Sequence, residues 1–408
     1  MEHQTIFNYN KDLKPFTKSR SRYLKSQVKR LKKIKQPEQR TEAWFDMREN
    51  KITASDIATA LDESKYQRDY VLLKKKVTKD RKFISNSAME WGVKYEEVAV
   101  KIYEYRNKTS IVEYGCLPHP IYKWIGASPD GITDDGIMLE IKCPSSRKIT
   151  GDIPSYYWCQ VQTQLEVCEL DRCDFLECKF KEYDNRDDYE NDNFEGDTFY
   201  NKMGMEKGVI VEFFNKINKK YVFDYSNVSI RGVDIDNFIK ECKKKRECED
   251  NLIFSTVCYW ELVQISCIPI YRNQEWFNAK IPKLKKFWDD VIEYRNKSSK
   301  ELENYINLKK KVKKKSKSKY KDTTLNDFYK IIKEETKKDT SNNIFIGLED
   351  LSNNNEYNSN KPPKLGFNLF KDDDMTPPKI NKNSNNEYNS NKNSNKPPKL
   401  GFNLFKDD

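Results

Sequence analysis

The sequence predicts an α/β domain with polar, charged tails. Apolar residues recur at helical spacing over 87–107 and 154–168, which indicates two amphipathic helices. Runs typical of β-strands lie between and after them, at 111–143 and 171–180. A chain of 408 residues can bury one large core or two smaller ones. Since 34% of the residues are charged and 37% are hydrophobic, we expect a soluble protein with long polar segments.

The globular part is predicted to extend over residues 40–296. Its first apolar anchors lie in RTEAWFDMRENKITASDIATAL, at 40–61. The helix in PSYYWCQVQTQLEVC opens with Pro, which suits a first helical turn. The acidic segment 181–197 has few apolar residues and is expected to be a surface loop. The remaining predicted elements are strands near 208–225, a helix near 233–249, a strand in YWELVQISCIPIYRN and a helix in EWFNAKIPKLKKFWDDVIEYR.

The composition changes on both sides of this domain. Residues 1–39 are predicted to form a basic N-terminal arm, and residues 297–408 a disordered tail rich in Lys and Asn. The peptide KPPKLGFNLFKDD occurs twice in the tail, at 361–373 and 396–408. Two copies are too few for a solenoid, so they are either duplicated docking peptides or a neutral duplication.

The net charge of +11 is spread unevenly. Residues 11–35 hold eleven Lys and Arg against one Asp, and residues 309–321 hold nine Lys and no acidic residue. The rest of the chain therefore carries a net charge of about −8. Two basic arms on an acidic body are typical of proteins that bind nucleic acid without reading its sequence. The alternatives are solvated tails or a localisation signal.

Several classes of protein and of site are disfavoured. No apolar run approaches the roughly 20 residues of a membrane helix, and the first residues lack the apolar region of a signal peptide, so we expect an intracellular protein. The two histidines, His3 and His119, argue against histidine acid–base chemistry. The ten cysteines show no C-x-x-C pair; Cys168, Cys173 and Cys178, which fall in an apolar, strand-like run, are interpreted as reduced thiols, with a zinc or iron–sulfur site as the alternative.

The stretch GASPDGITDDGIMLEIKCP, at 126–144, reads as a β-hairpin with an Asp-Gly turn. Asp130 lies four residues before Asp134 and Glu140 lies four residues after Gly136, so antiparallel pairing across the turn places both at nearly the same height. Two facing carboxylates are unfavourable for folding alone. Strand alternation puts Lys142 on the same face as Glu140. A divalent cation with a preference for oxygen ligands would relieve the repulsion, whereas the alternative is a hairpin whose charges face water.

The order of helix, hairpin, helix and strand resembles the PD-(D/E)XK restriction-endonuclease-like fold, whose core is a central mixed sheet flanked by helices. It is more closely similar to the YqaJ viral recombinase family, which includes phage lambda exonuclease. The resemblance covers about residues 40–296. The matching motifs, in order, are WFDMRENKITASD, MEWGVKYEEVA, SPDG, EIKCP and WCQVQ. Asn50 and Glu97 depart from the family pattern, where a glycine and a proline are usual.

This resemblance implies a metal-dependent nuclease. It assigns Asp130, Glu140, the Ile141 carbonyl and a helix glutamate, Glu96, as ligands of Mg²⁺, with Mn²⁺ as a substitute. Lys142 would orient or deprotonate the attacking water and counter developing charge, and Gln160 would hold the water or the lysine. Because Glu96 and Glu97 are adjacent, the sequence leaves open which of them is the ligand.

The resemblance also implies a pocket for a 5′-terminal DNA phosphate. Its residues would be Arg48, Ser55, Ser128 and Arg147, since guanidinium and hydroxyl donors suit a phosphate. An ordinary helix-surface charge is the alternative for Arg48, and a helix cap is the alternative for Ser55.

Two functions therefore compete. The first is a magnesium-dependent exonuclease that acts on duplex DNA ends in recombination, repair or antiviral defence. The second is a catalytically weak DNA-binding scaffold that recruits partners through its arms and tail. The family implies a homo-oligomer, a dimer or trimer, and a single-strand annealing protein or helicase as partner. The Asn- and Lys-rich composition fits an AT-rich giant-virus genome, and giant-virus nucleases have been likened to CRISPR-associated RecB-type enzymes. A viral protein would act in the host cytoplasm or virus factory, or be packaged in the virion.

The segment DTTLNDFYK, at 322–330, resembles a sliding-clamp-binding peptide. Leu325, Phe328 and Tyr329 are spaced so that one helical turn presents all three on one face. Asp322 stands where that motif usually has glutamine. A helix that folds back on the domain, or a chance match in a low-complexity tail, is the alternative.

Overall fold

A central seven-stranded sheet organises the part of the chain that is described. The computed structural model describes residues 16–321, except 38, 40, 80–85, 196, 198 and 229, with side chains up to residue 311. The helices are, in chain order, α1 (Lys18–Lys33), α2 (Glu42–Glu49), α3 (Ile57–Ala60), α4 (Asp69–Thr78), α5 (Ser87–Asn107), α6 (Ser155–Cys168), α7 (Arg186–Asn191), α8 (Val233–Arg246), α9 (Gln274–Arg295) and α10 (Ser299–Lys321). The strands are β1 (Ile52–Thr53), β2 (Ile111–Val112), β3 (Leu117–Pro118), β4 (Ile125–Ala127), β5 (Gly131–Thr133), β6 (Ile137–Lys142), β7 (Arg172–Glu182), β8 (Lys207–Asn215), β9 (Tyr221–Tyr225) and β10 (Leu252–Tyr271).

The large sheet has the strand order β2-β5-β6-β7-β10-β8-β9. Strands β6 and β7 run parallel, and the other neighbours in this sheet run antiparallel. Strand β6 pairs with β7 from Ile137 opposite Arg172 to Lys142 opposite Glu177, and α6 is the crossover between them. A second, smaller sheet has three strands in the order β1-β4-β3. The predicted α/β architecture, a central mixed sheet flanked by helices, is confirmed.

The two faces of β6 lie in different hydrophobic clusters. Leu139 and Ile141 pack with the buried residues of α5, including Val98 and Ile102. Met138 packs on the opposite face, in a cluster that also holds apolar residues of α1 and α6. Because of this alternation, the Glu140 side chain lies on the α6 side of β6. Apolar contacts therefore hold the predicted hairpin on both faces of the sheet.

Helix α1, which lies within the predicted N-terminal arm, belongs to the domain, contrary to the predicted boundary at residue 39. In α1, Leu24, Val28 and Leu31 are buried at helical spacing and pack in the same cluster as Met138. Four of its basic side chains also form ion pairs with acidic residues of the body: Arg20 with Asp171, Lys25 with Asp135, Arg30 with Glu169 and Lys32 with Asp134. Part of the positive charge predicted to bind nucleic acid is therefore matched within the chain.

The boundary predicted at residue 296 is also too early. Helix α10 buries Leu302 and Ile306 in a cluster that holds apolar residues of α4 and α9. The Tyr305 hydroxyl donates to Asp290 at 2.6 Å, and Lys309 of the predicted basic run pairs with Asp69 at 3.2 Å. Residues 299–311 are thus ordered by apolar contacts within a largely charged segment. The predicted clamp peptide at 322–330 and both tail repeats lie outside the described residues.

The acidic segment 181–197 is not a plain surface loop. It contains the end of β7 and the whole of α7, and Tyr189 of α7 is buried. The buried Lys207 ammonium donates to the backbone carbonyls of Tyr189 and Asp192, each at 2.6 Å. These bonds fix the segment against β8, which an acidic composition alone could not predict.

The cysteines are mostly core residues. All ten lie in the described part of the chain as free thiols, and nine are buried. Cys168 ends α6, in agreement with the helix predicted over 154–168, whereas Cys173 and Cys178 lie on β7. Among the described helices, none is long and apolar enough to cross a membrane.

Candidate active site

The hairpin β5–β6 brings two carboxylates together. Its turn contains Gly136 at a φ of +83°, a left-handed conformation that favours glycine. The ladder pairs Gly131 with Leu139, so Asp130 and Glu140 stand next to each other at its end, as the sequence predicts. The Ile141 N–H donates to Asp130 Oδ2 at 2.7 Å, which holds the Asp130 carboxylate against β6.

Helix α6 supplies the groups that hold Glu140. The Glu140 side chain is fully buried and forms an ion pair with Lys142. Gln160 Nε2 donates to its Oε1 at 2.7 Å, whereas the resemblance implied that this glutamine holds the water or the lysine. Gln164 Nε2 donates to its Oε2 at 2.6 Å. Sequence reasoning missed Gln164, although its spacing of one helical turn from Gln160 places both on one face.

The electrostatics of these groups are strongly coupled. Burial raises the pKa of Asp130 well above its usual value, and the neighbouring Glu140 and Glu96 carboxylates raise it further. Burial alone would lower the pKa of Lys142, but Glu140 and Asp130 outweigh burial and raise it. Lys142 is therefore a cation in this arrangement at neutral pH. Its ammonium also lies 4.9 Å from the centroid of the Tyr157 ring.

The structure separates Glu96 from Glu97. Glu96 of α5 lines a cavity together with Ile141 and Lys142, and its charge acts on Asp130. The Glu97 side chain is 49% exposed and faces Lys101, one turn along the helix, at 3.9 Å. Glu96 is thus the helix glutamate placed at the hairpin, while its role as a metal ligand remains a prediction.

A cavity of about 590 Å³ opens beside these residues. Its walls come from the first half of α5, the end of β6 and the loop that follows β6. The side chains that line it include Met89, Val93, Glu96, Lys142, Arg147 and Tyr157. The cavity is therefore apolar along α5 and charged at the hairpin, an arrangement that suits a ligand with both bases and phosphates.

Of the four residues predicted to bind a terminal phosphate, two are in direct contact. Arg48 Nη2 donates to Ser55 Oγ at 3.2 Å, and the Arg48 guanidinium lies 4.2 Å from the Trp44 ring centroid. The Ser128 hydroxyl is buried and, among the residues described, has no partner of good hydrogen-bond geometry. The guanidinium of Arg147 instead donates hydrogen bonds to Glu177 and to the Lys148 carbonyl.

Residues 43–171 match the model of the YqaJ-like viral recombinase domain. The resemblance predicted from the sequence is confirmed. The YqaJ-like segment contains Arg48, Glu96, the whole β5–β6 hairpin, Gln160 and Gln164. The carboxylates of the hairpin and their hydrogen-bond donors on α6 therefore lie within this segment.

Viral proteins are similar to this chain. A protein of Acanthamoeba polyphaga mimivirus is 32% identical over 317 residues, which cover 69% of this chain and 57% of that protein. A protein of African swine fever virus is 28% identical over 160 residues, which cover 32% of this chain and 46% of the relative. The chain thus spans about half the length of these relatives.

Among solved structures, an alkaline exonuclease from Laribacter hongkongensis is 22% identical, with a TM-score of 0.35 over 67% of this chain and 99% of that one. A phage-related exonuclease from Haemophilus somnus is 12% identical, with a TM-score of 0.32 over 60% of this chain and 93% of the other.

The donor set fits a hard divalent cation in its chemistry. Asp130 and Glu140 offer carboxylate oxygens close together, where Lys142 and the amide N–H groups of Ile141, Gln160 and Gln164 offset part of their negative charge, and β6 adds the Ile141 carbonyl. In the described residues, no three His, Cys, Asp or Glu side chains surround a common metal position. The side chain of Glu140 is instead directed at Lys142, Gln160 and Gln164.

Asp56 stabilises the segments that carry Arg48 and Ser55. It accepts from Thr53 Oγ1 at 2.6 Å and pairs with Lys76 at 2.7 Å, and Lys76 also donates to the Arg48 carbonyl at 3.0 Å. Burial raises the pKa of Asp56, but Lys76, Thr53 and Arg48 outweigh it and lower the pKa to about 2. The charged carboxylate therefore stabilises the fold.

Asp56→Asn should reduce the free energy of unfolding at pH 7 by about 2 kcal/mol. A carboxyl group whose folded pKa is depressed stabilises above its unfolded pKa near 4 and loses that effect as the pH falls through about 2. The difference between variant and unmodified protein should thus shrink between pH 4 and pH 2. Urea denaturation across this range measures it, and a constant difference down to pH 2 would contradict the assignment.

Proposed function

We propose that this chain is a magnesium-dependent deoxyribonuclease that hydrolyses phosphodiester bonds, acting as an exonuclease on duplex DNA ends. The observation that carries the proposal is the adjacent pair of carboxylates, Asp130 and Glu140, together with Lys142, which lines a cavity. When both carboxylates are ionised they outnumber the single Lys142 ammonium, so the site keeps an excess negative charge that a divalent cation would offset and that folding alone does not favour. The match to a viral recombinase domain supports DNA as the substrate.

Asp130, Glu140 and the Ile141 carbonyl would hold the metal ion, with Glu96 as a further ligand. When bound, Mg²⁺ would activate water for attack on phosphorus and offset charge on the phosphate and the leaving oxygen. Lys142, kept protonated by its two carboxylate neighbours, stabilises negative charge that develops on the phosphate.

The glutamines fix the orientation of this cluster. Gln160 and Gln164 each direct an amide N–H at one oxygen of Glu140, and the helix that carries them packs in the core. Glu140 therefore has a defined orientation before substrate binds, as a preorganised site requires.

The decisive experiment is incubation of the full chain with end-labelled linear duplex and with covalently closed circular DNA, each with Mg²⁺ and with EDTA. We expect Mg²⁺-dependent release of nucleotides from the linear substrate and an intact circle. Cleavage of both substrates would indicate an endonuclease. Binding of both without cleavage would overturn the proposal in favour of the scaffold.

The preference for a 5′-phosphate is the finer part of the proposal. Arg48 and Ser55 present donors side by side, and the buried Ser128 hydroxyl still has bonding capacity. Arg147, which lines the cavity, would contact the DNA backbone rather than complete this pocket.

Linear duplex with a 5′-phosphate should be degraded about tenfold faster than the same duplex with a 5′-hydroxyl, since charge-assisted hydrogen bonds of about 1.5–3 kcal/mol are lost. Arg48→Ala should remove this difference. The matched control is Arg22→Ala, an exposed arginine of α1, which should retain it. Equal rates on both substrates in the unmodified protein would count against the pocket.

The biological setting proposed is DNA recombination, with repair or antiviral defence as further settings. An annealing protein or helicase as partner and assembly into a dimer or trimer remain predictions from the family resemblance, and an intracellular location remains a prediction from the sequence.

A further inference from the structure

A row of three tyrosines leads from the catalytic lysine to solvent. The Lys142 ammonium lies 4.9 Å from the Tyr157 ring centroid. The Tyr157 and Tyr156 rings lie 4.4 Å apart, and Tyr156 meets Tyr66 edge to face at 5.3 Å with an interplanar angle of 83°. The Tyr66 and Tyr156 hydroxyls are also 3.3 Å apart. Two elements distant in the sequence, the loop before α4 and the start of α6, thus build this tyrosine row.

Core packing does not explain the outer end of the row. Tyr66 is 78% exposed, so it buries little apolar area and contributes little to folding. Tyr156 and Tyr157 are half-buried. In an edge-to-face pair, one ring keeps a free face, which leaves aromatic surface open to a ligand.

The inner end of the row borders the reaction site and a positive charge. Tyr157 lines the cavity together with Glu96, Lys142 and Arg147. The Arg147 side chain is one-third exposed and lies close enough to both Tyr157 and Tyr156 to interact with them electrostatically. Aromatic faces beside a guanidinium form the combination that binds single-stranded nucleic acid, because bases stack on the rings while the cation meets a phosphate.

We propose that the tyrosine row stacks the unpaired bases next to the phosphodiester held at Asp130 and Glu140. This inference deepens the proposed nuclease function and rests on it. A duplex end that enters a buried site must give up base stacking within the DNA, and free aromatic faces replace part of it. Stacking on aromatic side chains tolerates every base, so the row would not impose sequence specificity.

The test measures DNA binding without cleavage. The DNA is a duplex with three unpaired nucleotides at one 5′ end, one of them 2-aminopurine, whose fluorescence falls on stacking. In EDTA, the full chain should quench this fluorescence on binding. Tyr66→Ala should reduce the quenching and weaken binding by about fivefold or more, whereas Tyr66→Phe should retain both, since stacking needs the ring.

A matched control is available on α5. Tyr105 is 49% exposed, and its hydroxyl lies 3.3 Å from that of Tyr200, the same contact that joins Tyr66 to Tyr156. Tyr105→Ala should therefore leave quenching and affinity unchanged. Tyr66→Leu, which keeps an apolar side chain without a ring, should behave like Tyr66→Ala.

The outcomes separate this inference from the proposed function. If Tyr66→Ala and Tyr66→Leu both quench and bind like the unmodified chain, the tyrosine row does not stack DNA, even if the protein cleaves it. If quenching depends on Tyr66 but no Mg²⁺-dependent cleavage occurs, the nuclease proposal fails and the stacking surface stands.

Discussion

Replacing Asp130 by Asn should abolish Mg²⁺-dependent cleavage while the chain stays folded and binds DNA. The carboxylate contributes a hard oxygen ligand, and loss of several kcal/mol of charge stabilisation corresponds to at least about a 10³-fold lower rate. Asn keeps an oxygen that can accept from the Ile141 N–H. Because Asn also removes the repulsion that raises the pKa of Asp130, the melting temperature without metal should not fall.

The measurement combines initial rates on linear duplex with binding in EDTA and a melting curve. DNA binding should persist, since the substitution removes a negative charge near the phosphates. Asp134→Asn, in the exposed turn of the same hairpin, should cleave normally because its carboxylate only pairs with Lys32. Glu140→Ala should also lose cleavage, but it leaves Lys142 unpaired, so its folding must be checked. Near-normal cleavage by the Asp130 and Glu140 variants would refute the assignment.

The hairpin was predictable because its signals are local. The Asp-Gly turn sets the register, and a period of two sets the faces, so the meeting of Asp130 and Glu140 follows from short-range geometry. The choice of Glu96 over Glu97 was not predictable, because it depends on how α5 rotates against β6. The helical period places Gln164 on the same face as Gln160, but the family motif WCQVQ contains Gln160 and not Gln164.

The domain boundaries failed for a different reason. In α1 and α10 the charged residues dominate the composition, and three or fewer buried apolar residues per helix determine the packing. Leu302 and Ile306 are four residues apart in a segment that otherwise reads as a solvated lysine-rich tail. Average composition cannot reveal such sparse contacts, because the partners of α10 on α4 are far away in the sequence.

The pairing of α1 with the body also changes the expected DNA-binding surface. Exposed ion pairs are individually weak, each worth about 1 kcal/mol or less, so a polyanion can compete for these cations. Their positive charge is nevertheless partly screened by Asp134, Asp135, Glu169 and Asp171. Affinity from α1 should therefore be smaller than the eleven cations of residues 11–35 suggest.

Glu96→Gln should lower the cleavage rate by about tenfold or more and raise the Mg²⁺ concentration needed for half-maximal activity, whereas Glu97→Gln should change neither by more than about twofold. The two residues are adjacent on α5, and both substitutions remove one charge without changing size. They differ in position, because Glu96 lines the cavity and acts on Asp130 while Glu97 faces Lys101. Loss of a ligand weakens metal binding, which a general change in surface charge does not.

A Mg²⁺ titration of initial rates on 5′-phosphorylated linear duplex distinguishes these effects, and a melting curve for each variant establishes that both fold. A shift in the Mg²⁺ dependence for Glu96→Gln alone would assign Glu96 to the metal site. Equal losses in both variants would indicate an electrostatic effect of α5 on DNA, and a loss confined to Glu97→Gln would mean that α5 is rotated by one residue relative to β6 when metal and DNA bind.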